Sequence, residues 1–199
     1  MVTIVNLVLF GDDDTCIDID GNVYETVQIG EQLWMAENLK VSHYNDGSEI
    51  PTGYNNSEWG WLDMGTYAVY DDDPVNADVY GNLYNWYTVD DDRGVCPDGW
   101  HIPSDEEFTE LTDFLGGEDV AGGKMKEAGY DHWNWPNTGA TNSSGWTGLP
   151  GGYRSTGGFD DDGDVGGWWS ASESGWGSWR RILEKIDDAV YRYVSSRSV

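Results

Sequence analysis

The residues with the greatest capacity for chemistry in this chain are three histidines, two cysteines and several runs of aspartate. His43, His101 and His132 are widely separated, and none has a carboxylate or a second histidine at the spacing of a metal-ligand motif. His101 precedes Ile102-Pro103 at the start of a predicted helix, which favours a structural histidine over a ligand. The sequence therefore predicts no catalytic residues and a protein that is not an enzyme.

Calcium is the one cofactor that the aspartate runs bring into consideration, because carboxylates in loops suit a hard cation. The runs lie at residues 71–73, 90–92 and 160–164. The last run fails the spacing of an EF-hand loop, with Gly158 at the first ligand position and Trp169 at the position of the closing glutamate. We interpret the runs as solvated turns, predict no metal ligands and no cofactor, and keep calcium as the alternative.

The segment from residue 145 to residue 199 is rich in Trp, Tyr, Ser, Gly and Arg. These residue types give large, rigid contact surfaces and adaptable hydrogen bonds at a low entropic cost, as they do in antibody loops. The segment is therefore predicted to carry a ligand-binding surface, with residues 1–144 as its scaffold.

The charge of the chain excludes nucleic acid as a partner. The formal net charge is −27, from 10 basic and 37 acidic side chains, and such a surface repels phosphate backbones. Residues 180–199 differ, because they hold five basic and three acidic side chains. Twelve Trp, twelve Tyr and 27 Gly exclude a disordered acidic chain, since disordered chains are poor in aromatic residues. At 199 residues the chain is long enough for one domain with a substantial core.

The apolar N-terminal run MVTIVNLVLF is too short to span a membrane and lacks the basic start of a secretory signal. We interpret residues 2–10 as a strand, assign residues 1–15 to an N-terminal strand or tail, and assign residues 16–199 to one domain. No other run reaches the length of a membrane span, so no membrane insertion is expected. Cys16 and Cys96 are compatible with one disulfide or with two free thiols.

Hydrophobic alternation and turn residues predict a β-meander near the start of the domain. Apolar and polar residues alternate over residues 17–35, with turns at Asp20-Gly21 and at Gly30. Residues 40–80 have no sustained period and are predicted to be long loops with short strands, one of them at residues 66–70.

Two helices are predicted in the middle of the chain. A short helix follows Asn82, because apolar residues recur at helical spacing over residues 83–87. The second begins with a capping box, Ser104 and Glu107, continues with one apolar face and ends at a Gly-Gly pair. Residues 122–146 are predicted as loop, and the last fifty residues as strands between Gly-rich loops.

The periodicity of residues 179–194 fits two structures. Apolar residues from 182 onward recur at helical spacing, whereas residues 179–183 and 190–194 also alternate with the period of two strands. Periodicity alone leaves both alternatives open.

Several strings of this chain resemble the Fibrobacter succinogenes major paralogous domain. They include DIDGNVYETVQIG, LWMAENL, YGNLYNWYTV, CPDGWHIPSDEEF, GGKMKEAG, and GATNSSGWTGLPGGYR followed by WWSASES, across about residues 18–194. That family is similar in turn to C-type lectin-like domains of the formylglycine-generating-enzyme type. The resemblance implies an α+β, C-type lectin-like fold with two helices, a small twisted antiparallel sheet and long irregular loops. It favours strands at residues 179–194 and a core position for Trp168-Trp169.

A second resemblance is to variable proteins of diversity-generating retroelements, in which solvent-facing positions of the last strands and loops are rewritten to change ligand specificity. It implies that Trp179, Arg181 and Leu183 are framework residues on one strand face, with the alternate residues pointing outward. The candidate ligand-binding residues in these strands and the neighbouring loops are Phe159, Asp161, Ser174, Trp176, Arg180, Ile182, Glu184, Tyr191 and Tyr193.

These resemblances imply a non-enzymatic display protein that binds a macromolecular ligand, a protein or a glycan on another surface, and that is extracellular, on a cell surface or on a virion surface. A carbohydrate-binding or structural cell-surface module is the alternative. An enzyme is the least favoured alternative. Formylglycine-generating enzymes need a cysteine pair in the C-terminal half, and no cysteine follows Cys96 in this chain.

Overall fold

The computed structural model describes residues 5–6 and 15–198. Over this part of the chain, five α-helices, one 3₁₀ helix and four small antiparallel sheets form a mixed α+β fold. The predicted class is confirmed, but the predicted number of two helices is wrong. Of the strand predicted at residues 2–10, Val5–Asn6 is described as a short strand, and the remainder lies outside the described residues.

The first sheet is the predicted β-meander with one added edge strand. Its strand order is β1-β4-β3-β2, and every pairing is antiparallel. Gly21 and Gly30 hold positive φ angles of 83° and 63° at the two turns, which glycine adopts without strain. The strands are β1 (Val5–Asn6), β2 (Thr15–Ile17), β3 (Val23–Ile29) and β4 (Gln32–Met35).

The middle of the chain consists of short elements joined by loops, as predicted. The helix predicted over residues 83–87 begins only at Trp86, because the Asn85 side chain caps it by accepting the Thr88 backbone N–H. The residues before it pair as a strand instead. The elements are α1 (Asn56–Trp59), β5 (Tyr67–Ala68), a 3₁₀ helix (Tyr70–Asp72), α2 (Pro74–Tyr80), β6 (Leu83–Tyr84) and α3 (Trp86–Val89).

Helix α4 (Asp105–Phe114) has the predicted capping box. The Ser104 hydroxyl accepts the Glu107 backbone N–H, and the Glu107 carboxylate accepts the Ser104 backbone N–H. His101 contacts the same carboxylate, with its Nε2 2.8 Å from Glu107 Oε1. This position at the helix start agrees with a structural histidine.

Helix α5 (Glu118–Met125) corrects the prediction of a loop at residues 122–146, because the helix continues through Gly122 and Gly123. Glycine is unfavourable inside a helix, so local propensity argued against it. The tertiary structure explains why glycine is nevertheless present: a Cβ at Gly122 would lie 2.2 Å from the carbonyl oxygen of Ala189. A Cβ at Gly123 would lie 2.5 Å from the carbonyl oxygen of Gly139. Both positions bring two backbones together where only glycine fits.

The C-terminal part forms a hairpin and a three-stranded sheet, which settles residues 179–194 as strands. The hairpin consists of β7 (Gly151–Ser155) and β8 (Gly158–Asp162), and β7 packs beside β9. The sheet, called the terminal sheet below, has the order β11-β10-β9 and is antiparallel throughout. Its strands are β9 (Val165–Ser174), β10 (Gly177–Glu184) and β11 (Tyr191–Ser195).

Aromatic rings dominate the core, which consists of two clusters. Trp168 belongs to the cluster that packs on α4, together with Trp34, Phe108 and Trp146. Trp169 belongs to the second cluster, which lies against β2, β3 and α3. Both tryptophans are buried, which confirms their predicted core position. Each helix in the described part of the chain is too short or too polar to span a membrane.

Candidate binding surface

The register of the terminal sheet assigns its side chains to two faces. Arg180 lies opposite Tyr193, and Ile182 lies opposite Tyr191. Because directly paired residues of antiparallel strands project to the same side, these four side chains share one face, called the tyrosine face here. Arg181 lies opposite Arg192 on the other face, which packs on α4 and is called the helix face.

Arg181 anchors the helix face to the start of α4. Its fully buried guanidinium donates to Asp105 Oδ1 at 2.7 Å and to the Thr109 hydroxyl at 3.1 Å. Arg192 donates to Asp105 Oδ2 at 2.6 Å and stacks 3.7 Å above the Trp179 ring. Burial acts to raise the pKa of Asp105, but the hydrogen bonds from Arg192 and Arg181 outweigh it and lower this pKa. The helix face is therefore a framework, as predicted for Arg181 and Trp179.

Leu183, the third framework residue, is completely buried. It belongs to the core cluster that also holds Phe108 of α4. All three framework residues therefore contribute to packing or to ion pairs.

The tyrosine face carries an aromatic pair at its open edge. The Tyr191 and Tyr193 rings are stacked, with centroids 5.8 Å apart and planes inclined by 11°. The Tyr191 hydroxyl donates to the Asp187 carboxylate, and this bond raises the pKa of Tyr191 to about 12. Tyr193 is 46% exposed. A rigid, solvent-facing pair of rings therefore lies on the edge strand β11.

Charged side chains surround this pair. The side chain of Arg180 forms no ion pair or hydrogen bond with a described residue, and its guanidinium lies 5.9 Å from the Trp169 ring centroid. The pKa of Glu184 is raised by burial and then by the charges of Asp187 and Asp161, so these carboxylates are neighbours. The tyrosine face thus brings together five predicted residues: Asp161, Arg180, Glu184, Tyr191 and Tyr193.

Ile182 corrects the predicted exposure of the tyrosine face, because it is only 5% exposed. A Cβ added to Gly167 would lie only 3.0 Å from Ile182 Cδ1. Ile182 also lines a cavity together with Tyr153 and Arg154 of β7. The β7–β8 hairpin therefore covers this part of the face. Alternation assigned Ile182 to the correct face but could not show that another element lies on it.

Three further predicted residues are separate from this cluster. Phe159 is half-buried, packs 5.3 Å from the Tyr70 ring and supports the Arg154 guanidinium at 4.6 Å. Ser174 and Trp176 lie at the β9–β10 turn, and Trp176 is 74% exposed. That turn and Glu184 are at opposite ends of β10, whose eight residues span roughly 25 Å at 3.3 Å per residue.

Sequence reasoning missed Tyr153, which belongs beside the tyrosine face. Burial raises its pKa, and the charge of Asp161 raises it further, while Arg180 lowers it. Tyr153 is therefore close to both predicted residues. The signal was present in the string GGYRS, where alternation in β7 separates Tyr153 from the buried Arg154.

The histidines and aspartate runs lie in small pairs rather than in a metal cluster. Among residues 15–198, no group of three or more His, Cys, Asp or Glu side chains is placed to hold a metal ion. His43 contacts Asp20 at 2.6 Å, and His132 contacts Glu127 at 2.9 Å. In the run 160–164, Asp164 is bound by Lys185 at 2.7 Å.

Cys16 and Cys96 are free thiols in the same part of the core. Burial raises the pKa of each to about 12, and the two thiols lie close enough that Cys16 contributes to the raised pKa of Cys96. Of the two alternatives that the sequence left open, the structure has the free thiols.

The comparisons with known proteins give one match. The family model described as the Fibrobacter succinogenes major domain matches residues 27–198, which is most of the chain. No curated protein matches the chain. No solved structure matches it either.

Proposed function

Because the chain belongs to the Fibrobacter succinogenes major domain family, we propose that it is a non-enzymatic binding domain with a C-type lectin-like fold. Its ligand is a macromolecule, a protein or a glycan on another surface. The proposed site is the tyrosine face, and the protein acts outside the cell, on a cell surface or on a virion surface.

The single observation that carries this proposal is the stacked pair of Tyr191 and Tyr193 next to Arg180, whose guanidinium forms no ion pair with a described residue and lies 5.9 Å from the Trp169 ring centroid. Tyrosine and arginine are enriched among the residues that contribute most to binding energy. A stacked pair is already ordered, so less conformational entropy is lost when a ligand binds. A guanidinium that has no carboxylate partner within the chain can pair with a carboxylate or a hydroxyl of the ligand.

The framework beneath the tyrosine face supports its use as a variable surface. Arg181, Asp105 and Leu183 hold the strand from the helix face, so residues on the opposite face can change without loss of these contacts. We propose that Asp161, Arg180, Glu184, Tyr191 and Tyr193 are the variable positions of a diversity-generating retroelement. A near-repeat of their coding segment beside a reverse transcriptase gene, differing at adenines, would support diversification. Its absence would favour an invariant ligand.

The binding proposal is tested with the full chain on arrays of glycans and of purified bacterial surface proteins. We expect Tyr191→Ala and Tyr193→Ala each to weaken binding at least tenfold. Trp135→Ala is the matched control, because Trp135 is an exposed aromatic residue outside the terminal sheet. A ligand whose affinity falls with Trp135→Ala and is unchanged by both tyrosine substitutions would contradict the proposed site.

A carbohydrate-binding module is the second candidate, favoured by isolated exposed tryptophans. Trp61, Trp135 and Trp176 present most of their indole surface to solvent. Flat aromatic surfaces of this kind pack against the apolar faces of sugar rings. Binding that appears only on the glycan array and is lost with a Trp→Ala change at one of these three positions would favour this candidate.

A further inference from the structure

A small cavity lies between the β7–β8 hairpin and the terminal sheet. The centre of a water-sized sphere can occupy a volume of about 20 Å³ inside it. That is slightly more than one water molecule needs, so one small guest fits. The residues that matter for its chemistry are Trp59, Arg154, Arg180 and Ile182.

Several residues that line the cavity carry hydrogen-bond donors without a partner. Arg154 Nε and Nη1, Arg180 Nε and Trp59 Nε1 are buried and have no hydrogen-bond partner in the described part of the chain. The Arg154 side chain is only 2% exposed, so bulk water does not solvate it. Buried donors are almost always paired in proteins, so four unpaired donors on residues that line one cavity point to an acceptor inside it.

The rest of Arg154 is firmly held. Its Nη2 donates to the Tyr54 carbonyl and to Asn56 Oδ1 at 3.3 Å. The guanidinium carbon lies 4.5 Å from the Trp59 ring centroid and 4.6 Å from that of Phe159. These contacts fix the orientation of the guanidinium, and they leave Nε and Nη1 without a hydrogen bond.

The two guanidinium groups also lack full charge compensation. The carboxylate nearest to Arg154 is Asp72, whose Oδ1 is 3.9 Å from Nη1 and whose side chain is 72% exposed. Arg180 has no carboxylate within ion-pair distance among residues 15–198. Burial lowers the pKa of both arginines, as expected for charges removed from water without full compensation. Two cations against one distant carboxylate leave about one positive charge.

We propose that this cavity binds one small monovalent anion, of about the size of chloride, between Arg154 and Arg180. The charge balance favours a single negative charge, and the donors require a guest that only accepts hydrogen bonds. A water molecule would accept from two of the donors but would leave the charge uncompensated, which is costly in a buried site. The anion would tie the β7–β8 hairpin to the terminal sheet. The anion site shares Arg180 with the tyrosine face, but the tyrosine pair itself does not line the cavity.

The first test measures thermal unfolding of the full chain in sodium chloride and in sodium gluconate at equal concentrations. Both anions carry one charge, but gluconate is too large for the cavity. We expect the melting temperature to rise with chloride in a saturable way and to stay lower in gluconate, because a ligand that binds only the folded state stabilises it.

Substitutions localise the effect. Arg180→Gln should raise the half-saturating chloride concentration at least tenfold. It is preferred to a change at Arg154 because the Arg180 side chain is half-buried and donates no hydrogen bond to a described residue, whereas Arg154 holds Tyr54 and Asn56. The matched control is Arg197→Gln, at an arginine that pairs with Glu173, stacks on Trp86 and does not line the cavity. The control should keep the chloride dependence of the wild type.

The second test is diffraction from bromide-soaked crystals, in which the anomalous signal should show one peak between Arg154 and Arg180. Coincident melting curves in chloride and gluconate would overturn the proposal and leave water as the guest. It would also be overturned by a chloride dependence that Arg180→Gln leaves unchanged, or by the absence of a bromide peak in the cavity. Neither test depends on whether the tyrosine face binds a macromolecule.

Discussion

The ammonium of Lys126 donates to the backbone carbonyl of Asp187 at 2.6 Å, from a side chain that is completely buried. It also donates to the carbonyls of Thr138 and Glu184, each at 2.9 Å. One side chain thus joins the end of α5, the loop that follows it and the connection between β10 and β11. Burial lowers the pKa of Lys126 to about 8, and the charges of Asp187 and Asp188 limit this fall.

Lys126→Met should destabilise the protein by about 3–5 kcal/mol, because it leaves three carbonyls without a charged donor. Chemical denaturation monitored by tryptophan fluorescence measures the change. The control is Lys40→Met, at a half-buried lysine whose side chain donates no hydrogen bond to a described residue. If both substitutions lowered the free energy of unfolding by a similar small amount, the structural importance of Lys126 would be contradicted.

Asp105→Asn should cost about 3–5 kcal/mol of stability at neutral pH, because it removes the carboxylate that compensates the buried Arg181. Asp113→Asn is the control, since Asp113 is an exposed carboxylate on the same helix. Equal unfolding free energies for the two variants would contradict the ion-pair assignment.

The pH dependence of this difference follows from the lowered pKa of Asp105. In the unfolded chain the carboxyl titrates near its ordinary value of 3.8, and in the folded protein it titrates at lower pH. The unfolded state therefore binds more protons between the two values, so the stabilisation is complete above the unfolded pKa. It is lost as the pH falls through the folded pKa. The gap in stability between wild type and Asp105→Asn should be constant above about pH 5 and shrink below 3.8.

The two faces of β10 and β11 should respond differently to substitution. Tyr193→Ala, at an exposed position, should cost about 0.5 kcal/mol. Leu183→Ala and Ile182→Ala should each cost about 2–5 kcal/mol, because both remove buried methyl groups. Thermal melts of the three variants decide the matter. A tolerated Ile182→Ala would show that the hairpin does not cover this part of the sheet.

The thiols of Cys16 and Cys96 should react slowly with a disulfide reagent in the folded protein at pH 8. Both have a pKa of about 12 because of burial, so the reactive thiolate is rare. The release of coloured thiol from Ellman's reagent should be slow in buffer and rapid for two thiols in denaturant. Rapid reaction of either cysteine in the native protein would show that it is exposed or that its pKa is lower.

Chelation should change the melting temperature little, because residues 15–198 contain no group of three or more potential metal ligands placed to hold an ion. Thermal melts with and without a chelator, followed by addition of calcium, test this expectation. A loss of more than about 3 kcal/mol on chelation would indicate a bound metal, since that is the stabilisation from a ligand at a few hundred times its dissociation constant.

Local signals predicted several elements correctly. The capping box of Ser104 and Glu107 satisfies backbone donors within four residues, so the helix start depends little on the rest of the fold. The β-meander of residues 17–35 follows from period-two alternation and from turns that need glycine. Family resemblance, rather than periodicity, favoured strands at 179–194.

Given that residues 179–194 form strands, the sequence by itself determined the face to which each side chain of the site belongs. Alternation places Arg181 and Leu183 on one side of β10 and Arg180 and Ile182 on the other, because successive residues of a strand project in opposite directions. That relation is local, and the structure confirms it.

Only the tertiary structure decided which of these side chains meets solvent. Ile182 and Tyr193 share a face, but the β7–β8 hairpin covers the first and leaves the second open. Gly122 and Gly123 lie in a helix against their own propensity, at positions where other backbones approach too closely for a side chain. The position of a distant segment depends on the packing of the whole chain, so no pattern within one strand or helix predicts it.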